Sequence, residues 1–242
     1  MPFQQDPRDS ESKMCGRITQ FSDLRVFATA MGWDSTVAEH IVELVPRYNV
    51  APQTRVWTFH QLNAEGRPSC DAVKWGYKPH WARDDRTKKS VINARIESVR
   101  ANGYYRQLWP RGKRVIVPAD GWYEWPIMDG VKRPHFISRR DGPCFFAGLA
   151  DISDNADGMV DAGMVIITSD ADGGLVDVHD RRPVVFNEAD ARLWLDPALL
   201  PDGAYQLMLT GMLPAGAFRW WEVAKEVGNV RNEGPWLTMP IA

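Results

Sequence analysis

Cysteine is scarce in this 242-residue chain. The three present, Cys15, Cys70 and Cys144, form no CxxC pair, which argues against both a disulfide framework and a structural zinc site. The five histidines have no ligand-like spacing, so neither a metal nor a cofactor is expected. Long apolar runs are missing too; none approaches the roughly 18 residues of a membrane span. Residues 1–13, MPFQQDPRDSESK, contain no Ala, Val, Leu or Ile and so lack the apolar stretch of a secretory signal. No GxSxG, P-loop or HExxH motif occurs, which removes the familiar signatures of serine hydrolases, nucleotide hydrolases and zinc proteases. The expectation is a reduced, cytoplasmic, metal-free protein with no membrane partner.

What is present is unevenly placed. The chain is 44% hydrophobic and 25% charged with a formal net charge of -2, a composition able to bury a full core. Between Trp81 and Arg114, however, ten basic residues face only three acidic ones. A segregated basic face suits a polyphosphate partner, because neutralised phosphates release counterions; a solvated charged face is the competing explanation. The run WGYKPHWARDD leads into this segment, and its Trp75 and Trp81 read as stacking groups for unpaired bases. Trp109, Trp194 and Trp220 lie in apolar contexts and read as core.

Short β-type runs dominate: 15–19, 55–59, 72–77, 89–93, 114–119, 121–125, 144–150, 164–169, 183–186 and 218–223. Helical patterns cover 22–33, with Ser22 as N-cap, 187–195, capped by Asn187, and 204–212. Strands without regular helical crossovers predict an α+β fold: a mixed or antiparallel, barrel-like β core with peripheral helices. No linker divides residues 14–242, which read as a single domain and a monomer. Residues 1–13 read as a disordered or mis-annotated leader with three alternatives: Met14 is the true first residue, the leader is cleaved, or it is retained and Cys15 stays internal.

Four constellations carry chemistry. Cys15 stands with Arg17; INARIES offers Asn93, Arg95 and Glu97; PADGWYEW isolates Glu124 among aromatic residues; and LVDVHDRRPVVF holds His179, Arg181 and Arg182. A carboxylate flanked by Trp122, Tyr123 and Trp125 is desolvated if it faces inward, which favours proton exchange near neutral pH. Strand alternation equally allows it to face water. His179, Arg181 and Arg182 alone are compatible with an ordinary solvated loop, and Cys15 alone with a buried small hydrophobe.

The position of Cys15 after Met14 adds a further option. Trimmed of that methionine, the cysteine would carry an α-amine whose reference pKa, about 8, leaves it far more available than a lysine near 10.4. Amine and thiol on adjacent carbons can then both attack one aldehyde carbon, giving a Schiff base and a five-membered thiazolidine. An internal cysteine cannot do this, because its peptide nitrogen has lost its lone pair to resonance.

In order along the chain, MCGRITQ, RYNVAPQT, WGYKPHWA, INARIES, PADGWYEW, GLVDVHDRRPVV and VGNVRNEG resemble the SRAP family, named from SOS response-associated peptidase, over nearly everything from Met14 onward. The resemblance implies the SRAP fold and a bacterial, replication-fork-associated protein. Its partner would be single-stranded DNA containing an abasic site, shielded as a covalent crosslink, with Schiff-base lyase activity and self-cleavage as associated reactions. Residue by residue it implies Cys15 as nucleophile, Asn93 as holder of the sugar, and Glu124 and His179 as acid–base partners. Arg17 and Arg95 would bind phosphates, Asn49 and Pro52 would line the DNA path, Trp81 would stack beside the lesion, and Arg181 and Arg182 would add DNA contacts. Ala82 departs from the family pattern, which has a second tryptophan there. Two other functions stay open: a cysteine peptidase using Cys15 and His179, and a non-covalent single-strand binder.

Overall fold

The computed structural model describes residues 16–38, 45–152 and 163–241. Its strands in chain order are β1 (Ile18–Gln20), β2 (Arg47–Val50), β3 (Arg55–His60), β4 (Ser69–Trp75), β5 (Asn93–Arg95), β6 (Arg114–Ala119), β7 (Gly121–Glu124) and β8 (Ile127–Met128). There follow β9 (Val131–Lys132), β10 (His135–Arg139), β11 (Cys144–Ala150), β12 (Gly163–Asp170), β13 (Arg181–Pro183), β14 (Val185–Phe186) and β15 (Phe218–Glu222). The α-helices among the described residues are α1 (Leu24–Ala30), α2 (Glu188–Leu195) and α3 (Pro201–Thr210). None is long and apolar enough to cross a membrane.

One antiparallel sheet runs β15-β10-β7-β1-β2. The larger follows β13-β12-β4-β3-β6-β11-β14, with β5 beside β12. Because β11 also pairs with β12, strands β12, β4, β3, β6 and β11 close into a ring, which removes exposed edges. Strand β12 lies parallel to β4 and β5 and antiparallel to β11 and β13, so the sheet is mixed. The α+β architecture with helices outside the strand ring is the one expected.

The strongest strands, RVIVPA and CFFAGLA, are buried at every position, because alternate residues feed two cores. Ile116, Phe145, Ala147, Leu149, Val165 and Ile167 pack with the helices. Val115, Val117, Phe146, Met164 and Ile166 pack with Ile18, Trp122, Ile137 and Phe218 of the five-stranded sheet. The other face of that sheet carries Tyr123 and Phe136, which pack with Val223, Val227 and Leu237 near the C-terminus. Gly121 is required at its place: a Cβ there would lie 2.3 Å from the carbonyl oxygen of Ile137.

Several local expectations need correction. Helix α1 starts at Leu24 and is capped by Asp23, which accepts from the Arg25 N–H at 2.9 Å; the Ser22 hydroxyl is instead committed to the Asp120 carboxylate. Residues 89–92 form no strand, only an isolated bridge from Val91 to Tyr77, and 183–186 is split between β13 and β14. Helix α3 begins at Pro201, whose missing N–H is harmless in a first turn. Strands β2 and β10 were not expected at all. Trp75 is fully buried, its indole N–H bonded to the Ile92 carbonyl at 2.9 Å, so it is no stacking platform. Trp109 and Trp194 are core, and half-buried Trp220 packs against it. Cys70 and Cys144 are buried with thiol pKa values pushed up by desolvation, that of Cys144 to about 12; as thiols they are inert.

Candidate active site

The site is built where β1 meets β7. Ile18 pairs with Trp122 and Thr19 with Gly121, and the Tyr123 N–H donates to the Arg17 carbonyl at 3.0 Å. Carrying this antiparallel register one step further sets Gly16 opposite Glu124. Cys15, the expected nucleophile, lies outside the described residues. Glu124 is 2% exposed. Along β7, Trp122 and Glu124 share the face turned toward the core that holds Ile18, while Tyr123 faces the other way. The inward orientation is therefore the one adopted.

Asn93 and His179 hang from that same core. Ile92 and Val178 pack into the cluster that contains Ile18 and Trp122. Asn93, Glu124 and His179 thus each lie within two residues of a member of, or a residue packed on, the cluster that contains Ile18. Asn93 opens β5 opposite Ile166, and its carbonyl accepts from the Tyr105 hydroxyl at 3.1 Å.

His179 is largely enclosed, and burial lowers its pKa from the usual 6.5 although Asp180 pulls the other way. Its Nδ1 accepts from the Arg181 N–H at 3.0 Å and also lies 2.7 Å from the Asp180 carboxylate. Only a protonated Nδ1 can donate to Asp180. That carboxylate is 79% exposed and screened by water, so burial prevails and the neutral ring accepts from Arg181. The remaining hydrogen then resides on Nε2.

The arginines divide into braces and free donors. Arg17 donates from Nη1 to the Asn49 side-chain oxygen and to the Val227 carbonyl at 2.8 Å, and its guanidinium lies 5.7 Å from the Trp125 ring centroid. Burial lowers its pKa. Asn49 donates in turn to the carbonyls of Val227, Asn229 and Asn232 at 3.2, 2.9 and 2.9 Å. The Tyr48 N–H donates to Glu233 at 2.7 Å. Strand β2 therefore grips VGNVRNEG, a stretch to which sequence reasoning gave no role.

Arg181 and Arg182 are buried and engaged, not solvated. Arg181 binds both Glu97 oxygens at 2.7 and 3.0 Å and the Thr168 carbonyl at 2.8 Å. Arg182 donates to the Leu213 carbonyl at 2.7 Å, pairs with Asp172 at 3.2 Å and lies over Phe218. Arg95 is exposed, and its guanidinium meets no acid or carbonyl among the described residues. Pro52 is half-buried in the turn between β2 and β3. Trp81 is 45% exposed on a short 3-10 turn, His80–Ala82, whereas Ala82 beside it is fully buried. No group of three or more His, Cys, Asp or Glu among the described residues is arranged to hold a metal ion.

Comparison with known proteins places this arrangement. The chain is 36% identical to the abasic site processing protein YedK of Escherichia coli over 94% of its own length and all of the relative's. It is 31% identical to the abasic site processing protein YoqW of Bacillus subtilis, over 93% of this chain and 98% of that one. A solved structure of a phage-related protein from Bordetella bronchiseptica superposes with a TM-score of 0.72 at 36% identity, covering 87% of this chain and 95% of the other. Residues 14–230 match the profile described as SOS response associated peptidase. With a match of that span, the chain belongs to the SOS response associated peptidase (SRAP) family.

Proposed function

We propose that this protein recognises abasic sites in single-stranded DNA and captures them covalently through Cys15 as the N-terminal residue. The carrying observation is the buried carboxyl of Glu124 on the strand that pairs with β1, whose ladder with β7 reaches back to Arg17. The names of the relatives, abasic site processing proteins, supply the lesion as substrate.

The chemistry runs in balanced steps. The α-amine of Cys15 adds to the C1′ aldehyde of the ring-opened sugar, giving a carbinolamine. Glu124 donates a proton to the departing hydroxyl, water leaves, and a Schiff base forms. The Cys15 sulfur adds to the same carbon, its proton returning to the Glu124 carboxylate, and the thiazolidine closes with the net loss of one water. His179, neutral and protonated on Nε2, assists opening of the sugar ring, and Asn93 holds the sugar. Strand cleavage from the Schiff base is the competing outcome. Arg95 and the basic segment meet the backbone phosphates, while Trp81 stacks on a neighbouring base. Arg17, Asn49, Arg181 and Arg182 hold these groups in place.

Intact-protein mass spectrometry tests this reading. Incubation with an abasic single-stranded oligonucleotide should give the mass of protein beginning at Cys15 plus oligonucleotide minus one water. Cys15→Ala should give none. A heat-stable adduct that survives in Cys15→Ala, or the absence of any adduct with protein beginning at Cys15, would refute covalent capture.

A further inference from the structure

Three titratable side chains stand in a row across adjacent strands. In the five-stranded sheet, His135 of β10 pairs with Glu124 of β7 on one side and with Glu222 of β15 on the other. Residues directly opposite in an antiparallel ladder point to the same face, with Cβ atoms about 4.5–5.5 Å apart. Here that face is the inward one. Ile137, two residues after His135, and Trp220, two before Glu222, pack in or against the core that holds Ile18 and Trp122, whereas Phe136 and Trp221 belong to the opposite side.

His135 is half-buried, and its Nδ1 lies 3.1 Å from the Arg133 carbonyl oxygen. A carbonyl only accepts, so Nδ1 carries a hydrogen, the ring is oriented, and Nε2 is left for the neighbouring carboxyls. Glu222 is 27% exposed and meets Arg133 Nη1 at 3.4 Å. Asp129 lies 3.8 Å from the same guanidinium. The ring thus sits among Glu124 from β7, Glu222 from β15 and Arg133 from the turn ahead of β10.

We propose that His135 is a positioning residue for Glu124. Its Nε2–H holds one oxygen of the Glu124 carboxyl and leaves the other to act on the substrate. With hydrogen on both nitrogens the ring is an imidazolium, and the Glu222 carboxylate on its far side balances the charge. When Glu124 hands its proton to the departing hydroxyl, the Nε2–H stays on the ring and steadies the carboxylate that remains. A hydrogen bond to an ionised acceptor is roughly twice as strong as one to a neutral acceptor. The contact therefore strengthens as the proton leaves, and an interaction that strengthens toward the transition state lowers the barrier. The inference rests on the reading of Glu124 as the proton donor in covalent capture.

The test is single-turnover adduct formation by protein beginning at Cys15, with an abasic single-stranded oligonucleotide over a range of concentrations. His135→Phe should lower the saturated rate about tenfold, less than the 10²- to 10⁴-fold of a group that meets the reacting atoms. The half-saturating concentration should stay within a factor of about two. His135→Gln, whose amide keeps an N–H donor, should recover part of the rate. In a Glu124→Gln background, His135→Phe should cost little more, because the two act as a unit. A His135→Phe rate equal to or above that of His135→Gln, or a full further loss in the Glu124→Gln background, would overturn the proposal. The ¹⁵N spectrum of the His135 ring, taken without DNA, reads the contact independently of capture: the Nε2 signal should move on Glu124→Gln. A signal indifferent to that change overturns the positioning role even in a protein that captures the lesion. A protein that forms no adduct but shows the shift keeps the contact and loses the capture.

Discussion

Arg17 and Asn49 lock together through a buried side-chain hydrogen bond that spans 32 residues of sequence. Asn49 then reaches about 180 residues further along the chain to three carbonyls in the 227–232 segment. The residue two places after the expected nucleophile is thereby tied to the C-terminal part of the protein. Catalysis at the proposed site gains from fixed geometry, and this bond fixes Arg17, at the start of β1, against the C-terminal segment.

Asn49→Ala should therefore destabilise the protein by about 1–3 kcal/mol, since it strands buried donors of Arg17 and several carbonyls. Urea denaturation measures the loss. Asn49→Asp, which keeps the acceptor for Arg17 but loses the amide donors, should recover part of it.

Glu124→Gln conserves shape and removes the ionisable proton. The side chain is 2% exposed, and under the proposed mechanism that proton goes to the departing hydroxyl. The rate of adduct formation should fall about 10²- to 10⁴-fold, while equilibrium binding to undamaged oligonucleotide stays within a factor of two or so. Single-turnover gels and fluorescence anisotropy read the two quantities.

His179 makes stability depend on pH. Burial depresses its folded pKa below the 6.5 of the unfolded chain, so the unfolded state binds the proton more readily between those two values. Its contribution to stability is complete above about pH 6.5 and is lost as pH falls through the lowered folded value. Denaturation curves collected from neutral to acidic pH should show a slope in that window that His179→Gln flattens. A window lying above neutrality would contradict the assignment.

Much of this architecture was legible because continuous apolar runs admit few alternatives; RVIVPA, CFFAGLA and MVIITS are strands buried on both faces. Strand β2, RYNV, escaped notice because two of its four residues are only half-buried. Its pairing is set by β1 and by Glu233, which no local pattern announces. Trp75 misled for a similar reason: the next strand and the Ile92 carbonyl decide whether an indole in WGY faces inward. At the site, Glu124 was readable as a lone charge among aromatic residues. The engaged state of Arg181 and Arg182 was not, because their acids, Glu97 and Asp172, sit in other segments.

The contrast between Arg95 and Arg181 gives the sharpest test of how the basic residues divide. Both sit beside Thr168 of β12: Arg95 pairs with it across the parallel β5–β12 ladder, and Arg181 donates to its carbonyl. Arg95 turns its guanidinium to solvent, whereas Arg181 is 8% exposed and clasped by Glu97 and Asp170. Arg95→Ala should leave the melting temperature almost unchanged, as exposed substitutions do. It should lower the single-strand salt slope by about 0.7, one phosphate contact. Arg181→Ala should do the reverse: a stability loss of about 1–3 kcal/mol from the stranded Thr168 carbonyl and the broken pair, discounted because both acids are substantially exposed. It should also slow adduct formation, because the Arg181 N–H fixes the tautomer of His179 only while β13 stays docked on β12. If Arg181→Ala instead lowers the salt slope without affecting stability, its guanidinium leaves Glu97 to bind phosphate, and the brace would be a DNA contact in waiting.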